Sequence, residues 1–287
     1  MSDFVKHNSC ISKFDSSNSW VILSPIEQSI KAKIEKTGIP LKNWDINIYR
    51  GVLTGFNDAF IISEEKRNEI LNNCKSTDER NRTDELIRPI LRGRDIKRYE
   101  YNFANLYLIN THNGIKEKNI PRIDINDYPA VKAHLDSYWN QIEKRADQGD
   151  TPYNLRNCAY MDEFNKPKIV WGNLNLSATY TFAPEGMMIN APATMIVPAT
   201  ESLLCILNSK LADYYIRNLG VTRNGGYFEY KPMFVEQLPV PQNIDESLFT
   251  SYSQKELSNE KNIDDAVYNL YGLTKEEIIF IEQNNNP

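Results

Sequence analysis

Apolar positions recur at helical spacing in some stretches of the chain and alternate in others. Pro25 to about Thr37 reads as the first helix: Ser24 stands at its N-cap, Pro25 fits the first position, and Glu27 completes a capping box. Gly38 and Pro40 end it. Residues 46–61 (INIYRGVLTGFNDAFI) read as two short strands around Thr54 and Gly55, a hairpin or a bulged strand. Residues 64–86 are charged and polar, which predicts a surface helix with a loop around Lys75 to Thr83. Tyr101 to Asn110 (YNFANLYLIN) places aromatic and branched residues in near alternation, as a strand requires.

Val131, Leu135, Trp139 and Ile142 predict an amphipathic helix over Tyr128 to Arg145. Three short strands follow between Lys168 and Pro198: KIVWGNL, ATYTFAP and ATMIVP. Leu203 to Leu219 predicts a strong helix ended by Gly220. Tyr227 to Pro241 reads as extended, because Pro232, Pro239 and Pro241 exclude a long helix. Two helices close the chain, Lys261 to Tyr271 and one capped by Thr274 and Glu277, with a frayed tail from Asn284. No repeat of fixed period is present, which argues against a solenoid.

With 287 residues, 41% hydrophobic and 25% charged, the chain supports a real core, and collagen-like, low-complexity and mini-protein classes drop out. No apolar run approaches the roughly 20 residues of a membrane span, and no secretory stretch opens the chain; a soluble, cytoplasmic protein is the expectation. The net charge of −5 belongs to the tail: residues 241–287 carry 3 basic and 9 acidic groups, whereas residues 1–240 carry 30 and 29. Such a near-neutral body binds nucleic acid if its cations cluster locally.

Catalytic signatures are missing. No phosphate-binding glycine loop and no HExxH occurs, and His7, His112 and His134 have no serine or cysteine nucleophile in a recognisable elbow. Glu64-Glu65-Lys66 fits a solvated face better than a nuclease site. Cys10, Cys74, Cys158 and Cys205 lie far apart, which indicates neither a disulfide framework nor a metal site, and each reads as a small apolar residue.

Three polar groups remain as candidates. Arg88, Arg92, Arg94, Lys97 and Arg98 stand in eleven residues (RPILRGRDIKR) against one acid, Asp95. They suit contact with phosphates, and Arg also suits the O6/N7 edge of guanine; the alternative is a structural turn in which Arg94 or Arg98 pairs with Asp95. Asn110, His112 and Asn113 stand at a strand end and Trp171, Asn173 and Asn175 in the 168–176 strand; on a sheet edge or loop Asn can bond bidentately to adenine, although Asn is also a common turn former. Arg223-Asn224-Gly225-Gly226 is a cationic turn able to cradle a phosphate, or simply a helix-to-strand connection.

NIYRGVLTGFNDAFII, IRPILRGRDIKRY, LINTHNGI, LRNCAYMDEFNKPKIVW, LLCILNSKLADYYI and YKPMFVEQLPVP, with AVYNLYGLTKEEI near the end, occur in one order. Together they resemble the TaqI-like C-terminal specificity, or target-recognition, domain of Eco57I-like bacterial adenine-N6 DNA methyltransferases. The resemblance runs from about Ile11 to Glu282 and is nearest to single-chain type IIG restriction-modification enzymes. It implies an α+β fold: an irregular, twisted, β-rich recognition body (46–200) with peripheral helices, after an N-terminal linker and helix (1–45), and then a helical support (201–287). It also implies double-stranded DNA as partner and the thirteen polar and aromatic residues of the three groups as its contacts.

This sequence departs from the family's full-length enzymes in lacking the cofactor-binding glycine motif and the NPPY-type motif. The chain therefore reads as the recognition part alone, a fragment or a stand-alone subunit with no cofactor of its own and no catalytic residues. S-adenosylmethionine is expected in a methyltransferase domain elsewhere, in the same full-length chain or a partner subunit, where a flipped adenine would be methylated, together with a fused nuclease. Two other classes stay open, a complete enzyme with an unrecognised active site and a protein-interaction scaffold without DNA contact.

Overall fold

The computed structural model describes residues 23–220, 222–249 and 260–285; His7 and Cys10 lie outside them. Its strands are β1 (Ile39–Pro40), β2 (Asn47–Arg50), β3 (Ile61–Ser63), β4 (Ile87–Leu91), β5 (Leu106–Ile109) and β6 (Lys168–Trp171). Then come β7 (Leu174–Asn175), β8 (Tyr180–Ala183), β9 (Met188–Ile189), β10 (Thr194–Val197), β11 (Phe228–Glu229) and β12 (Pro239–Val240). The helices of the first half are α1 (Pro25–Thr37), α2 (Asn57–Phe60), α3 (Glu64–Asn72), α4 (Thr77–Leu86), α5 (Pro129–Asp136) and α6 (Trp139–Ile142). Those of the second half are α7 (Glu201–Asn208), α8 (Lys210–Leu219), α9 (Pro232–Val235), α10 (Glu260–Leu270) and α11 (Lys275–Asn284). The fold is α+β. Among the described residues no helix is long and apolar enough to cross a membrane.

A central antiparallel sheet, ordered β2-β10-β6-β8, divides two hydrophobic cores. Successive side chains on a strand point to opposite faces. Val170 and Met195 accordingly enter the first core, while Ile169, Trp171 and Ile196 enter the second. Burial on both faces explains why KIVW and TMIV are unbroken apolar runs with only Lys168 and Thr194 as polar members.

The first core also takes in the sheet β3-β5-β4-β9, whose last pair is parallel, and helix α5. The second packs α7, α8, α10 and α11 against the central sheet, together with Ile30 and Ile34 of α1. Helix α1 is anchored there because Glu277 of α11 accepts bonds from Ser29 Oγ and Lys33 Nζ, both at 2.6 Å. Strand β1 then pairs with β12; a Cβ on Gly38 would stand 2.5 Å from the carbonyl carbon of Pro239, so the close approach needs glycine.

Several elements differ from the sequence reading, each for a local or long-range reason. The predicted helix over 203–219 breaks at Ser209, which is extended (ψ 153) and whose Oγ accepts from Ala212 N to start α8. The 128–145 helix stops at Asp136 and resumes at Trp139, and Ser137 Oγ bonds the carbonyl of His134. Residues 46–61 form no hairpin: β2 joins the central sheet and β3 the other one, with Val52 bridged to Asn190 between them.

The loop expected at Lys75 to Thr83 is largely helix α4, capped by Ser76. Its charged look hides Glu79, which is buried and accepts from the backbone nitrogens of Lys75 and Ala130. The 101–110 strand is confined to β5, and the 227–241 stretch includes α9, where Pro232 takes the first helical turn. Asn284 is the last residue of α11 rather than the start of a tail.

Candidate nucleic-acid interface

One end of the central sheet gathers polar side chains from distant parts of the chain. Thr194 is in register with Arg50 on one side and Trp171 on the other. Next to it, the Ala193 carbonyl accepts from Gly51 N at 2.8 Å, and a Cβ on Gly93 would stand 3.9 Å from Cβ of Ala193 and 3.6 Å from Cα of Gly172. The turn that begins at Arg92, the turn that follows Trp171 and the end of β2 therefore meet. Asn173 Oδ1 accepts from Thr194 Oγ1 at 2.8 Å, and Asn175 Nδ2 donates to the Gly172 carbonyl at 2.6 Å. Both asparagines are half-buried, and Leu174 and Leu176 between and beyond them are exposed.

The helical core holds this turn from behind. Asp213 Oδ1 accepts from Ala178 N (2.9 Å) and the Tyr230 hydroxyl, and Arg217 pairs with the same carboxylate at 2.9 Å. Arg217 also donates to the Leu176 carbonyl at 2.7 Å and lies over the ring of Phe228, 4.3 Å away. Asn208 bonds both the nitrogen and the carbonyl of Tyr180, each at 3.0 Å. Burial pushes the Asp213 carboxyl above its ordinary value, opposed by the Tyr230 bond and the Arg217 charge.

The five cations of Arg88 to Arg98 do not act as one patch. Arg92 clasps Asp95 with Nε (2.9 Å) and Nη2 (2.7 Å), and its backbone nitrogen donates to the same carboxylate. Asp95 is 5% exposed; its burial raises the pKa, but the bonds from Arg92 outweigh this and hold the carboxyl below its ordinary value. The structural turn weighed for this segment thus exists with Arg92, not Arg94 or Arg98, as the partner. Arg98 is drawn to Glu260 of α10 at 3.1 Å, and Arg88, at the other end of β4, donates to Asn165 and to the Gly186 carbonyl. Arg94 and Lys97 are exposed, and neither has an ion pair among the described residues.

Two other expected contacts take structural places. Trp171 is 0% exposed, donates through Nε1 to the Tyr230 carbonyl at 2.7 Å and packs on Tyr180, so it supports the turn from inside the core and meets no base edge. Asn113 is buried with its amide spent on Asp150 and Asn157. Asn110 and His112 lie away from the sheet end and line a separate pocket with Arg88. Arg223 is exposed beside Glu229, which Lys231 also pairs, and Asn224 leads into Gly225 and Gly226, both at positive φ. Strand β11 pairs with β7, Phe228 opposite Asn175, and brings this turn beside the sheet end.

The sequence reading missed Arg50. It is exposed at the end of β2, next to a pocket of about 240 Å³ that it shares with Arg156 and Tyr160. The Tyr160 ring stacks on Tyr49 at 4.3 Å, and its hydroxyl donates to the Arg50 carbonyl. No charge cluster marks it within its string NIYRGVLTGFNDAFII; its place at the sheet end comes from the pairing of β2 with β10.

No curated protein matches this chain. Among solved structures, the type IIL restriction-modification enzyme MmeI in complex with DNA superposes with a TM-score of 0.61 at 14% identity, over 86% of this chain and 36% of that enzyme. The type IIG restriction endonuclease BpuSI gives 0.50 at 14% identity, over 91% and 33%. The chain thus spans about a third of the length of either enzyme, and the likeness establishes a shared fold. Residues 88–240, more than half of the sequence and including the Arg92 turn, the 172–178 turn and the helix that anchors it, match the profile of the TaqI-like C-terminal specificity domain, and this protein belongs to that family.

Proposed function

We propose that this chain selects the DNA sequence at which a restriction-modification enzyme acts, with the end of the central sheet as its reading surface. The observation that carries the proposal is the meeting of Arg50 and the Arg94 turn with Asn173 and Asn175. Cations there would neutralise phosphates, and the amides, together with the backbone of the 172–178 turn, would face base edges. The rim from β2 to β6 is about 10 Å at ordinary strand spacing, comparable with a major groove about 12 Å wide. Membership in a specificity-domain family and a fold shared with an enzyme whose structure was determined on DNA support the same reading.

The work would be divided. An adenine-N6 methyltransferase domain, in the same polypeptide or a partner, would supply S-adenosylmethionine and the chemistry. The cofactor is assigned there because this sequence has neither the glycine motif nor the NPPY-type motif. The residues of this chain would bind, orient and discriminate.

The test is duplex binding as a function of salt. Replacing Arg50, Arg94 and Lys97 with Ala should lower affinity and flatten the dependence of log K on log salt by about one unit per lost phosphate contact. Unfolding free energy should stay within about 0.5 kcal/mol, because these are surface changes. In the intact enzyme, Asn175→Ala should relax one base pair by roughly 1–3 kcal/mol of discrimination, read by sequencing the methylated sites. An unchanged slope with an unchanged site would end the proposal.

A further inference from the structure

A pocket of about 180 Å³ opens between the start of β4 and the segment after β5, lined by Arg88, Asn110, His112, Asp162 and Asn165, with Ile115 and Met161 among its apolar walls. Asn110 is 9% exposed, and its Oδ1 is buried without a hydrogen-bond partner. Oδ1 of Asp162 is also buried and unpartnered, although Oδ2 of the same carboxylate holds Lys118 at 2.5 Å. A desolvated acceptor left unpaired is unfavourable, so two on one small pocket call for a donor.

Donors are present too. His112 Nδ1 accepts from Gly114 N at 3.1 Å, which puts the proton of the neutral ring on Nε2. Arg88 is oriented by bonds from Nη2 to Asn165 Oδ1 (3.0 Å) and the Gly186 carbonyl (3.3 Å). An anion would meet the oxygens of Asn110 and Asp162, and a cation would meet Arg88. A neutral ring with N–H donors and N or O acceptors on its edge suits both sets. The volume lies below the about 300–1,000 Å³ usual for drug-sized ligands, so it suits a single ring system rather than a nucleotide.

We propose that this pocket binds one nucleobase, its edge bonded by Asn110, Asp162, His112 and Arg88 and its faces against the apolar walls. The base has two possible sources, a free nucleoside or an unpaired residue of DNA. The proposal does not depend on the sheet-end reading, which is tested by salt-dependent binding to fully paired duplex.

The experiment titrates the chain with the four deoxynucleosides and with two duplexes, one fully paired and one carrying a single unpaired nucleotide. His112 imidazole resonances and calorimetry report binding. We expect saturable binding of at least one nucleoside, or tighter binding of the interrupted duplex, accompanied by a shift of the His112 signals. Binding should fall by about tenfold in Asn110→Ala and again in His112→Ala, as for the loss of one buried hydrogen bond. Preference for the interrupted duplex would identify an extrahelical base, and binding of nucleosides alone a free one. Unmoved His112 signals in the unmodified chain, with no saturation in either arm, would mean that the pocket holds water only and would overturn the proposal. Equal binding by folded variants would overturn it as well.

Discussion

The two faces of the central sheet are held together by different means. On the first face, loops are tied by side chains that bond backbone carbonyls. Arg145, 6% exposed, donates to the carbonyls of Thr54, Asp147, Pro152 and Asn154 while lying 4.3 Å from the ring centre of Phe60. On the second face, helix α8 reaches over and holds the 176–178 turn and Tyr230 through Asp213 and Arg217. The first arrangement stabilises a body; the second positions a particular turn. Damage to the two faces should therefore have different consequences even where the loss of stability is similar.

The largest effect expected is from Arg145→Ala, which takes a buried donor from the carbonyls of Thr54, Asp147, Pro152 and Asn154, the last of which keeps its bond from Gly149 N. It should cost about 4–5 kcal/mol, the size expected when a buried hydrogen-bond network is broken. Burial lowers the Arg145 pKa to about 10, yet the group remains charged at neutral pH, which is why its carbonyl partners matter. Denaturant unfolding measures the loss, and DNA site choice by whatever fraction remains folded should be unaltered.

Asp213→Ala should come next, at about 3–5 kcal/mol, because it leaves Arg217 buried without its carboxylate. Under the proposed reading of the sheet end it should, unlike Arg145→Ala, also relax the recognised sequence, since the 172–178 turn loses its anchor. Comparing methylated sites at a temperature where both variants are folded would break the distinction if the two behave alike.

The smallest effect is pH. His112 and His134 are histidines of the first face; burial lowers the pKa of both, and Lys66 adds to the effect at His134, against the opposing bond to the Ala59 carbonyl. A folded pKa below the ordinary imidazole value of about 6.5 means that the stability these groups contribute is fully present above that value and is lost as pH falls through the folded pKa. Stability should therefore decline from about pH 6.5 downward, and His134→Gln should flatten the decline. A decline unchanged in both His134→Gln and His112→Gln would place its origin elsewhere, with the carboxylates.

Features that depend on a few neighbouring residues were legible in the sequence. The capping boxes at Ser24 and Glu27 and at Thr274 and Glu277 form as read, because an N-cap is complete within four residues. The internal partner for the arginine run was legible as Asp95, but which arginine takes it depends on the 3₁₀ turn from Gly93 to Asp95, which turns Arg92 back on the carboxylate. Ser209 looked like a helix residue since its flanks are apolar at helical spacing; its extended backbone ends α7 and its hydroxyl caps α8, and both helices pack into the second core.

The chain by itself determined the α+β class, the family and the capped starts of helices α1 and α11, because ordered motifs and N-caps are properties of short stretches. Which residues share a surface was decided by tertiary pairing. Arg50 and Thr194 are 144 positions apart and adjacent only through β2 and β10. Asp213 reaches Ala178 across 35 positions. Trp171, a natural stacking residue by type, is withdrawn into the second core by the alternation of its own strand. Hydrogen bonds and charges act within a few ångströms, so their partners are named only when the fold brings those atoms to that distance.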